Sequence, residues 1–195
     1  MPFETSPAYD RVLADDRNYH IVFLVVGGLF TLLLVVFMVF SRLQFKRAGS
    51  RFERRTYLSF GAAGLTLVLF MALALWANVT SVVNPRKTLA GTTFSPVGEA
   101  WLSDGRAQIS PLLQQAIDDR LAWQRPKAVI CAILLVACVT LTVFLWRRLL
   151  RRSTAGKLAV TGGVLSAAAC VLLMFMVIGN AEGALAPLTL TVIYG

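Results

Sequence analysis

GAAGLTLVLFMALALWANVTSVVNP, Gly61–Pro85, and GVLSAAACVLLMFMVIGNAEGALAP, Gly163–Pro187, decide the fold between them. Gly, Asn and Pro recur at one interval, since 163 − 61, 180 − 78 and 187 − 85 all equal 102. Between the Gly and the Asn both copies are uncharged, and each follows an Arg-rich turn that is preceded by another apolar run. A repeat of this kind fixes the architecture before any single residue is weighed. The sequence predicts two membrane hairpins in tandem.

Working outward, four uncharged runs carry the hydrophobic excess: Ile21–Ser41, Thr56–Pro85, Ala128–Trp146 and Leu158–Ala181. A helix needs about 20 apolar residues to cross about 30 Å of hydrocarbon, and each run is of that order. The 195 residues are 57% hydrophobic with a mean hydropathy of +0.69, outside the range of ordinary soluble domains. The expected class is therefore all-α, a polytopic integral membrane protein with four transmembrane helices.

The net charge of +9 resides in the turns. Arg42, Lys46, Arg47, Arg51, Arg54 and Arg55 face the single Glu53 after the first run, and Arg147, Arg148, Arg151, Arg152 and Lys157 face no acid after the third. Short basic loops stay in the cytoplasm. The two hairpins then point the same way, parallel in orientation, with both termini extracytoplasmic. No basic face interleaved with aromatics stands outside the runs, which argues against nucleic acid.

The segments follow from this topology. Residues 1–20 form an outer N-terminal segment, in which Ser6-Pro7 caps a short helix carrying Tyr9, Val12, Leu13 and Asp16. Residues 21–85 form the first hairpin, 86–126 an outer loop, 127–187 the second hairpin and 188–195 an outer tail. Within the loop, Ser110-Pro111 opens an amphipathic helix over 111–123, with Leu113, Ile117 and Leu121 at four-residue spacing and Trp123 at its end. Those four side chains are candidate partner contacts, although packing over the chain's own helices fits the same pattern. The tail LTLTVIYG alternates apolar residues with Thr and reads as an extended segment. Gly162, Ser166 and Cys170 make a small-residue stripe suited to close helix approach and are further candidate partner contacts. Arg47, Arg54, Arg55, Arg148, Arg151 and Arg152 are candidate contacts to anionic lipid headgroups.

Chemistry is harder to find. The four runs contain no Asp, Glu, Lys or Arg, the residues that mark proton or ion pathways within a membrane. His20, the one histidine, stands at the mouth of the first run and cannot supply a haem with its ligands. Cys131 and Cys138 lie mid-span without a basic neighbour, so a reactive pair is not expected. No catalytic residue, metal ligand or cofactor is expected, and the chain reads as a non-enzyme.

The Arg-rich, Ala/Val/Leu-rich four-helix layout resembles the small accessory membrane proteins of actinobacterial envelope complexes, such as Mce-type lipid importers or respiratory supercomplexes. The resemblance implies a bacterial plasma-membrane protein whose partners are lipid and other integral subunits. The expected function is that of an accessory or stabilising subunit of a lipid or solute transporter. A subunit of a respiratory complex, or a self-sufficient homo-oligomeric carrier or pore, is the alternative.

Overall fold

The computed structural model describes residues 4–151 and 156–195. They form seven helices: α1 Pro7–Arg47, α2 Arg51–Val83, α3 Pro85–Leu89, α4 Pro96–Asp104, α5 Pro111–Leu150, α6 Lys157–Leu185 and α7 Pro187–Tyr194. Among the described residues there is no strand. Four of the helices, α1, α2, α5 and α6, are long and apolar enough to cross a membrane, and they point to a membrane location.

Local chemistry sets the helix starts. Pro7 opens α1 while the Ser6 hydroxyl accepts the Tyr9 amide at 3.2 Å. At α2 a reciprocal cap forms: Ser50 Oγ accepts the Glu53 amide at 3.1 Å, and the Glu53 carboxylate accepts the Ser50 amide at 3.3 Å. Ser95 caps α4 through the Gly98 amide, and Gly105 ends that helix at φ 73°, a conformation that favours glycine. Ser110 caps α5 through the Leu113 amide at 3.3 Å.

Three features differ from the sequence expectation. The amphipathic segment 111–123 is no separate short helix but the first third of α5, which runs on through Pro126. The loop 86–126 carries two further helices, α3 and α4. The tail is helical, since Pro187 begins α7, and its buried residues Leu188, Thr189, Thr191 and Val192 recur at helical spacing. The Leu/Thr alternation that suggests an extended chain places both residue types against the core.

The chain divides into two compact units, each assembled from distant segments. The head unit comprises residues 1–26, 75–129 and 178–195. Its core gathers Val12 and Leu13 of α1, Leu89 of α3, Trp101 and Leu102 of α4, Leu113 and Ile117 of α5, and Leu188 and Val192 of α7. Each such side chain contributes roughly 1.5–3 kcal/mol on burial. The closest approach is α4 to α7: Ser95 donates its amide to the Val192 carbonyl at 2.8 Å, and the missing side chain of Gly98 makes room for the Val192 backbone.

The span unit comprises residues 27–74 and 130–177. Gly64 of α2 lies against Met38 of α1, and Phe60 stands edge-on to both Phe37 and Trp146 with ring centroids 5.7 and 4.7 Å apart. Trp146 of α5 donates its indole N–H to the Gly163 carbonyl of α6 at 3.1 Å. Further along the same pair of helices, the Cys138 thiol reaches the Ser166 carbonyl, and the Thr142 hydroxyl meets the Cys170 sulfur, both at 3.4 Å. Of the most apolar stretch of each long helix, no more than 17% is buried inside the chain.

Candidate functional site

A cluster of polar and ionisable side chains lies inside the head unit, just before and just after the apolar runs. Asp15, Asp16, Tyr19 and His20 occupy little more than one turn of α1, immediately ahead of Ile21. Asn78 of α2, Glu182 of α6 and Thr189 of α7 meet them there. Asp16 is 3% exposed and Glu182 is 5% exposed, so both carboxyls have largely left water.

Two strings of contacts organise the cluster. In the first, His20 Nδ1 lies 2.7 Å from Asn78 Oδ1, and His20 Nε2 faces Asp16 Oδ1 at 3.7 Å. The other oxygen of Asp16 is buried with no hydrogen-bond partner. In the second, the Tyr19 hydroxyl is hydrogen-bonded to Glu182. Tyr19 also feels Tyr194 and Asp16, which ties the two strings together.

Asp15 has a different task. Ala186, at the N-cap position of α7, offers no side-chain acceptor. Asp15 supplies one from α1 instead, accepting the Thr189 amide on Oδ2 at 2.7 Å. The Thr189 hydroxyl in turn donates to the Val12 carbonyl at 3.4 Å. A carboxylate at a helix start satisfies an otherwise unpaired amide and complements the helix dipole.

Burial dominates the electrostatics. It pushes the Glu182 carboxyl up to about 7, against a smaller lowering by the Tyr19 hydrogen bond. Burial likewise raises Asp15, opposed by its bonds to Thr189 and Leu188 and by Arg11. It raises Asp16, with His20 opposing and Asp15 adding to the rise. Tyr19 is pushed up to about 12 by burial and by the neighbouring Glu182. The arrangement can take up and release protons. Among the described residues no three His, Cys, Asp or Glu side chains converge as a metal site.

The residues singled out from sequence are placed as follows. Leu113 and Ile117 are buried in the head core and Leu121 packs against it, so the chain itself already covers this face of α5. Trp123 is 69% exposed, with Lys127 Nζ 5.1 Å above its ring. Ser166 and Cys170 contact α5, but Gly162 is exposed with open space beside it, and Gly163 is the close-packed glycine. Arg47, Arg54, Arg55, Arg148 and Arg151 are exposed, and Arg152 lies outside the described residues.

Glu182 and the Asp15–His20 group escaped notice as a site because they flank the uncharged runs. Glu182 stands one residue beyond Ala181. The legible signal was Asp16 and His20 at four-residue spacing on one helix face.

No protein-family model, curated protein or solved structure matches this chain.

Proposed function

We propose that the chain spans a bacterial plasma membrane four times and serves as a non-catalytic accessory subunit of a larger envelope complex that moves lipid or another solute. The observation that carries this reading is the contrast in coverage along the chain. The head core is filled by the chain's own side chains, whereas the long helices keep bare flanks: Leu73 is 71% exposed and Val136 is 67% exposed. Flanks of that kind suit lipid and the helices of partner subunits, which meet in membranes through close packing. The apolar runs also hold no ionisable side chain of the sort that transport through the chain itself would use.

The orientation proposed has both termini outside and the basic turns inside. Arg47, Arg54, Arg55, Arg148 and Arg151 then face anionic headgroups, each attraction being about 1 kcal/mol. Tandem hairpins find support in the two corners that end the repeats. Asn84 before Pro85 has φ −137° and ψ 70°, and Ala186 before Pro187 has φ −133° and ψ 69°. Both leave the α region, as a residue preceding proline does.

Native mass spectrometry after mild extraction tests the reading. A stoichiometric particle whose mass is not a multiple of 21.3 kDa is expected. Recovery only as monomers or homo-oligomers would overturn it.

A further inference from the structure

The geometry of the buried cluster assigns it a role of its own, and we propose that Asp16, His20 and Glu182 form a proton-operated latch that holds α7 against α1 when protonated and frees it when deprotonated. This inference stands whether or not the chain is an accessory subunit, because it rests on contacts inside the head unit alone.

The argument begins with a count of donors and acceptors. His20 faces an oxygen on each side, Asn78 Oδ1 at 2.7 Å and Asp16 Oδ1 at 3.7 Å. A neutral imidazole has one N–H donor and one acceptor nitrogen. With Nδ1 donating to Asn78, the Nε2 lone pair would confront a carboxylate oxygen. A proton on Asp16 relieves that confrontation, because the protonated carboxyl faces the Nε2 lone pair as a donor. Asp16 reinforces the point, since its remaining oxygen is buried without a partner. An ionised carboxylate in that position would be short of donors, and a buried charge without compensation is costly.

Glu182 repeats the situation on α6. Burial raises its carboxyl, and the Tyr19 hydroxyl bonded to it opposes that rise. On α5, the Gln124 side chain packs close to Gly183. From α2 the group at the cluster is the neutral Asn78. From α7 come Thr189, which bonds Asp15, and Tyr194, which acts on Tyr19. Arg11 acts on Asp15, while Arg86 of α3 pairs with the exposed Asp10. The cluster thus holds three carboxyls, and His20 opposes the rise of Asp16.

The place of Glu182 makes release local. Its carbonyl accepts the Ala186 amide at 2.9 Å, at the corner where α6 ends and Pro187 turns the chain into α7. An ionised Glu182 is drawn toward water, and its movement pulls on the corner that its carbonyl holds. Asp15 then loses the Thr189 amide it caps, and α7 loses its start. The process moves protons only; no bond other than O–H or N–H is made or broken.

Hydrogen exchange on the full chain in lipid nanodiscs tests the latch, at pH 5.5 and pH 8.0 with rates corrected for chemical exchange. Protection of the α7 amides is expected to fall at least about tenfold at the higher pH, the factor carried by one unit of differential protonation. Peptides from α2 in the span unit should not change. Glu182→Gln, which fixes the neutral form, should keep α7 protected at both values, and Asp16→Asn should narrow the difference. Tyr19→Phe removes the hydroxyl that favours ionised Glu182 and should move release to higher pH. Equal α7 protection at both pH values in the unaltered chain overturns the proposal, as does a loss spread equally over both units. So does a Glu182→Gln protein that folds and keeps the full pH dependence.

Discussion

At the scale of single residues, the head unit is held by positions with little tolerance. Gly98 admits no side chain, because a Cβ there would fall on the Val192 backbone. Backbone cannot rotate aside as a side chain does, so Gly98→Ala should separate α4 from α7 and cost roughly 1–3 kcal/mol, read as a lowered melting temperature. Asp15→Ala removes the side-chain cap of α7 and should cost about 1 kcal/mol. Glu182 gives a pH dependence whose sign is fixed by its raised carboxyl. The folded state binds the proton more tightly than the unfolded chain, whose ordinary value is 4.5. Its stabilising share is therefore complete below about 4.5 and is lost as pH rises through about 7. Thermal melts in detergent should show stability falling across that interval, and Glu182→Gln should flatten the curve. None of these three residues was legible as functional in the sequence, where one glycine among 14 and a carboxyl beside an apolar run carry no mark. Their meaning comes from segments far away along the chain.

Elements were legible where length and charge spoke together. The four long helices follow from uncharged runs bounded by basic turns, and the start of α1 from Ser6-Pro7. Two elements were not. The sequence ends the outer loop at residue 126, yet α5 passes through Pro126. Proline removes one amide donor, and a helix long enough to be held by packing on either side absorbs that loss. In α7 the same Pro187 that opens the helix was outweighed by the alternation after it. The contact between α5 and α6 separates two neighbouring glycines. Gly163 sits with a Cβ position 3.0 Å from the Trp146 ring, whereas Gly162 faces open space. Gly162→Leu should leave the melting temperature unchanged. Ser166→Leu, placed where the Cys138 thiol meets the α6 backbone, should lower it by overpacking worth roughly 1–3 kcal/mol.

For the molecule as a whole, orientation is the testable property. Cysteines introduced at Ser50 and Ser103 should behave oppositely toward a membrane-impermeant thiol reagent in intact cells. Ser103, in α4 of the head unit, should label, and Ser50, between two basic segments, should not. Labelling at Ser50 alone would invert the arrangement. The bond between Asp15 and Thr189 also sets an order of events during synthesis. The two residues are 174 positions apart. At about 5–20 residues per second, a ribosome needs roughly 10–35 s to travel from one to the other. Throughout that interval Val12 and Leu13 wait without the Leu188 and Val192 that later cover them. The head must therefore be the last part of the protein to mature, and a nascent chain stalled before Pro187 would present an open apolar seam to the quality-control machinery of the cell.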